Sequence, residues 1–200
     1  RATNGVMHVV GSVLIPQSVG ATLTPILGTN AGTLLLGADF SLLAQAILKA
    51  DTFATTAQLP TLVSILSGEA THTVFAPSNG TFEAGSLTAA SFSGQQWYGI
   101  IANHVVLSEV EPSALPSAES PTPVTLMTAA STEAQVQQLT FYYLDGQGMF
   151  TNIMIDSNQD VDPSDVSTFA NLDGEVALPD AQVNANGRVH VVAGVLAPKQ

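Results

Sequence analysis

Apolar residues change their spacing along this chain. Behind Asp39, Phe40, Leu43, Ala44, Ile47 and Leu48 recur at helical spacing, which predicts an amphipathic helix over 40–50 with Asp39 as its N-cap. Leu59, Leu62, Val63 and Leu66 predict a shorter helix over about 60–67, opened at Pro60 and stopped at Gly68. Ser93 and Gln96 have capping-box spacing, and Trp97, Ile100, Ile101 and His104 follow at i, i+3, i+4 and i+7. That third helix carries the only tryptophan and runs into Val105-Val106-Leu107, where the period shifts to that of a strand. Residues 18–38, with Gly20, Pro25, Gly28, Gly32 and Gly37 among small apolar residues, read as a connector.

Strands dominate the second half. Thr73-Val74-Phe75-Ala76 is a short apolar strand broken at Pro77 and turned by Ser78-Asn79-Gly80, after which Phe82 folds back as an anchor. Four prolines between Pro112 and Pro123 mark a loop that cannot join a central sheet. Segments 124–127, 138–144, 149–155, 175–178 and 189–196 then read as strands. Helices first and strands afterwards are the pattern of an α+β domain.

One strand is written twice. Residues 4–16, Asn-Gly-Val-Met-His-Val-Val-Gly-Ser-Val-Leu-Ile-Pro, agree with residues 186–198 at eight of thirteen positions and a constant offset of 182. Each copy opens with a turn dipeptide, continues through a β-branched run and stops at a proline. Since the second copy closes the chain, residues 1–17 read as the final strand of a preceding domain, and 18–200 as one domain. The alternative places both copies in one sheet. An orphaned strand carries open backbone groups, so self-association through residues 1–17 is expected.

Charge narrows the partners. Sixteen acidic residues against four Lys and Arg give a net charge of -12, which repels phosphate backbones and argues against nucleic acid and anionic lipid. With 46% hydrophobic residues the chain can build a sizeable core, and without cysteine it has neither disulfides nor thiolate metal sites. These residues hold no 18-residue apolar run and no signal-peptide pattern, so no membrane span is expected in this chain.

The acidic run at 156–165 is the most distinctive chemistry. Asp156, Asn158, Asp160 and Asp162 alternate oxygen ligands as the opening of a calcium loop does. Val161 replaces the glycine of an EF-hand loop, and Ser167 its bidentate glutamate, leaving two readings: a solvated acidic loop or a weak calcium site. No other cofactor is expected. His104 shares a face with Trp97 and Ile101 and reads as a hydrogen-bonded core residue; His8 and His190 read as ties from strand to turn. Without a Gly-x-Ser-x-Gly elbow or paired acids among sugar-binding aromatics, no catalytic residue is assigned and the chain is not expected to be an enzyme.

Three separated pieces resemble one family. Thr73-Val74-Phe75-Ala76-Pro77-Ser78-Asn79 with Phe82, Asn103-His104-Val105-Val106, and the Asn186-Gly187 segment through Pro198 resemble, in order, the signatures of fasciclin-like (FAS1) domains. The resemblance covers roughly 35–200 and implies a FAS1-type wedge-shaped β-sandwich with a helical group beside it. It also implies an extracellular, secreted or cell-surface module in a tandem array, adhering to a cell-surface or matrix protein or glycan. Binding would involve Asn103, His104, Val105 and Val106, although Asn103 stands where the family carries tyrosine. About thirty residues, roughly 143–173, exceed the family pattern as an acidic insertion. The alternatives are a spacer domain, or a small-ligand binder with a pocket beside the Trp97 helix.

Overall fold

A computed structural model describes residue 20 and residues 23–143, 153–162 and 172–199. The expectations for residues 1–17, including His8, and for the parts of the insertion at 144–152 and 163–171 lie outside the described residues.

Helices α1 (Asn30–Leu36), α2 (Ser41–Thr56), α3 (Leu62–Ser67), α4 (Asn79–Ala84) and α5 (Gly94–Asn103) come largely first. Strands β1 (His72–Pro77) and β2 (Val105–Val106) lie among them, and β3 (Val124–Met127), β4 (Gln138–Tyr143), β5 (Ile153–Asp156), β6 (Gly174–Asn184) and β7 (Gly187–Val192) follow. The α+β class and helix-then-strand order expected from the sequence are both present.

The strands form one sheet in the order β2-β1-β7-β6-β5-β4-β3. β1 and β7 run parallel, and the other neighbours antiparallel. A bridge from Val106 to Thr128 joins the two ends, so the sheet folds onto itself into a near-barrel. Inside it lie Phe75, Val106, Leu139, Phe141, Ile155, Val192 and Leu196. Outside, the helices bury Leu34, Leu43, Ile47, Phe82, Trp97 and Ile101 against Val74, Ala76, Val105 and Val189. β1 therefore touches apolar matter on both faces, which is why Thr73-Val74-Phe75-Ala76 is a continuous run without alternation. Trp97 packs on Phe82 and Phe92 and donates its indole N–H to the Ala89 carbonyl at 2.9 Å. No single helix among the described residues is long and apolar enough to cross a membrane.

Several expectations are corrected. Residues 18–38 hold α1, with Asn30, Ala31, Gly32 and Leu34 buried. Gly32 reads as punctuation but serves close packing, since a Cβ there would lie 2.3 Å from the Ile26 carbonyl oxygen. Asp39 sits in a 3-10 turn and does not cap α2; Asn79 does, accepting the Leu42 N–H at 3.0 Å while donating to the Ala38 carbonyl. Leu48 (57% exposed) faces solvent because the buried stripe of α2 runs instead through Ala46, Ile47, Ala50 and Ala54, and Leu59 (43%) does so because α3 starts only at Leu62, after the Thr61 N-cap. Ser78-Asn79-Gly80 opens α4, with Ser78 as N-cap. β6 runs past Leu178 to Asn184, carrying Pro179 at register shifts where a missing N–H is tolerated, and β7 stops at Val192 although Leu196 is buried.

Candidate interaction site

The three signature segments, far apart in sequence, are adjacent strands. β1 lies between β2 and β7, with Thr73 opposite both Val106 and Arg188. Their polar residues hold this junction together. Asn186, buried in the β6–β7 turn, accepts the Asn30 N–H and donates to the Leu66 and Gly68 carbonyls, each at 2.9 Å. Asn30 donates to the His72 carbonyl at 3.1 Å and accepts from Asn184 at 2.7 Å. Thr73 accepts the Val110 N–H and donates to the Ser108 carbonyl, fixing the strand-to-loop exit after β2. Only the Asn-Gly turn dipeptide signalled any of this in the sequence; which groups the amide side chain meets depends on segments more than a hundred residues away.

Asn103, His104, Val105 and Val106 are all buried. Asn103 donates to the Leu196 carbonyl at 3.3 Å and accepts from the Thr128 hydroxyl at 3.0 Å. His104 bonds the Ile100 carbonyl through Nδ1 and accepts the Leu196 N–H at Nε2. The segment thus ties the end of α5 to Thr128 and the C-terminal Leu196, as the core reading of His104 expects. Its surface expression is the seam above it. Here the bridge from Val106 to Thr128 brings the end of β3 against β2, and Leu107 (64% exposed) and Met127 (58%) flank a cavity of about 350 Å³ with Leu126 and Ser131 on its wall.

His190 ties three elements, accepting the Asp180 N–H at Nδ1 and bonding the Val110 carbonyl through Nε2. Two positions earlier on β7, Arg188 pairs with Glu109, Glu111 and Asp180 at 2.7, 3.0 and 2.6 Å. One cation therefore gathers three of the acids that the sequence presented as unconnected.

Burial pushes His104 down to about 4, and lowers His72 and His190 as well. An unfolded histidine takes its proton near pH 6.5, so between there and about 4 the unfolded chain binds the proton that folded His104 refuses. Stability is expected to fall as pH drops through that window, by about 3 kcal/mol from His104 alone. Burial raises Asp51 and Asp156, which opposes the trend in the carboxylate range. Denaturant titrations at stepped pH check this, and a midpoint flat from pH 7 to 4 contradicts it.

In the acidic run, Asp156 is buried and its oxygens accept the Gln159 and Val161 N–H groups at 2.6 and 3.4 Å. Asn158 accepts the Asp160 N–H at 3.1 Å, and Asp162 is also engaged. Among the described residues no group of three or more His, Cys, Asp or Glu is placed to hold a metal ion.

A family model described as Fasciclin domain matches residues 48–198. No curated protein matches the chain. Among solved structures it is similar to one described as "Novel Fold Revealed by the Structure of a FAS1 Domain Pair from the Insect Cell Adhesion Molecule Fasciclin I". Identity is 16% and the TM-score 0.49, over 76% of this chain and 45% of that one, so the chain spans less than half the length of that protein.

Proposed function

Because the chain belongs to the fasciclin domain family, we propose that it is an extracellular cell-adhesion or matrix-interaction module acting by non-catalytic binding of a protein or glycan. The observation that carries the reading is the apolar seam between β2 and β3. Leu107 and Met127 stand exposed there where the end of β3 meets β2, over a buried signature segment that fixes their positions. Exposed apolar side chains beside a cavity suit a partner protein that seats an apolar side chain of its own between them. Asn103, His104, Val105 and Val106 take part by holding that seam in place. The histidines support a non-catalytic role, because His72, His104 and His190 each commit ring nitrogen to backbone groups.

The test is saturable binding of the purified chain to cultured cells or to a surface coated with matrix proteins, in millimolar calcium and then in chelator. Binding is expected in both conditions, since the Asp156 oxygens are already bonded to backbone N–H groups. Absence of binding to either surface would sink the reading. A spacer role in a tandem array is the second reading, favoured by the copy of the closing strand at residues 4–16. It predicts that an unrelated domain of similar length substitutes for this one without loss of attachment.

A further inference from the structure

Asn79-Gly80-Thr81 is the one Asn-x-Ser/Thr triplet in the chain, and its middle residue is not the proline that would forbid modification. It opens α4, where Gly80 is exposed and Asn79 half-buried. An asparagine in such a triplet is the acceptor for an N-linked glycan, yet this one also caps α2. Its two N–H bonds decide whether it can do both.

Asn79 accepts the Leu42 N–H at Oδ1 and donates to the Ala38 carbonyl from Nδ2, each at 3.0 Å, which fixes the amide's orientation. Ser41 Oγ lies 3.0 Å from Nδ2 and 3.4 Å from Oδ1. A group so close to both atoms lies on the side of Nδ2 that faces the oxygen. Ser41 therefore takes the hydrogen syn to Oδ1, and Ala38 the one anti to it. A sugar on Nδ2 makes the amide secondary, and a secondary amide holds its substituent trans to the chain carbon. The sugar carbon thus replaces the hydrogen that faces Ser41, and the Leu42 and Ala38 bonds survive. Ser41 is exposed, so its hydroxyl turns to water instead. Space is present as well: Asn79 lines a cavity of about 440 Å³ with Phe40, Gly80, Ala181 and the exposed Leu178.

We infer that Asn79 carries an N-linked glycan, added before the chain folds and compatible with its cap on α2. The inference rests on the extracellular reading above, since the donor is met on a secretory route. Nδ2 bonds to the anomeric carbon of a lipid-pyrophosphate-linked oligosaccharide. The bond from that carbon to the pyrophosphate oxygen breaks, its electron pair leaves on the lipid pyrophosphate, and one Nδ2 proton passes to a base. The timing follows from the fold, where the Thr81 hydroxyl donates to the Val192 carbonyl at 3.0 Å and both Nδ2 hydrogens are engaged.

The test secretes the full chain from a eukaryotic host behind a cleavable leader, beside Thr81→Ser, which keeps the triplet, and Thr81→Val, which breaks it. The parent and Thr81→Ser are expected to be heavier by one oligosaccharide and Thr81→Val not, with enzymatic release leaving aspartate at position 79. A secreted parent of bare mass overturns the inference. The glycosylated parent is then compared with the chain from a bacterial host, which lacks this modification. Their Tm values are expected to agree within about 3 °C, with equal protection of the Leu42 amide from hydrogen exchange. A Leu42 amide that loses protection in the glycosylated chain overturns the claim that cap and glycan coexist. Surface attachment separates the two readings: a glycosylated chain that binds nothing sinks the adhesion proposal and upholds the glycan, while a bare secreted chain that binds overturns the glycan alone.

Discussion

Gly187→Ala is expected to lower the unfolding free energy by about 4 kcal/mol or more, a loss reserved for substitutions that collide with fixed backbone. Gly187 opens β7 at φ 132, a conformation L side chains rarely adopt. A Cβ there would lie 1.7 Å from the carbonyl oxygen of His72, its register partner at the start of β1. Relief requires β7 to move off β1, and that parallel pair is the boundary between the two cores. Gly99→Ala is the control: within α5, with no atom near the added methyl, it is expected to be neutral or stabilising by about 0.5–1 kcal/mol. Denaturant midpoints at unchanged slope decide the matter. A Gly187→Ala chain within about 1 kcal/mol of the parent would mean that the β1–β7 junction is not as close as described.

Asn186→Ala is the second large effect, expected at about 3 kcal/mol or more. Its side chain satisfies one buried donor and two carbonyls across α1 and the end of α3, and an unpaired buried polar group costs about 1–3 kcal/mol. Asn186→Asp is expected to be no better, because a carboxylate would face the Leu66 and Gly68 carbonyls that now accept its N–H groups. Faster hydrogen exchange at the Asn30 amide would identify the lost bond. An unchanged amide together with an unchanged midpoint would contradict the role assigned to this side chain.

What the sequence disclosed follows from the range of each interaction. The capping box at Ser93 and Gln96, the buried face of Trp97, Ile100 and Ile101, and the helix stop at Gly68 depend on residues within a turn or two, and all are present. Leu48 was misplaced because the buried stripe of a helix is set by its neighbours, which spacing alone leaves free by one residue, and Leu59 because the helix expected to hold it starts later, at Leu62. α1 stayed hidden because glycines that mark turns in one setting allow close packing in another, as Gly32 does. The motif asparagines had a visible signature but no visible job. Asn79 caps a helix starting thirty-eight residues before it, and Asn186 meets groups from Asn30, Leu66 and Gly68. Likewise the segment Asn103-His104-Val105-Val106 was legible as a signature and His104 as a core residue, while the burial of Asn103 was not, so in the proposed contact Leu107 and Met127 take the exposed part.

The most direct measurement compares attachment of the parent chain, the Leu107→Asp/Met127→Asp chain and a Leu48→Asp chain to one matrix-coated or cell surface, with a Tm recorded for each. All three sites are exposed, so the three chains are expected to melt within a few degrees of one another. The seam variant is expected to bind at least about ten-fold more weakly, the loss of about 1.4 kcal/mol or more of contact energy, while Leu48→Asp binds as the parent does. A seam variant that keeps its fold and attaches as tightly as the parent would contradict the account.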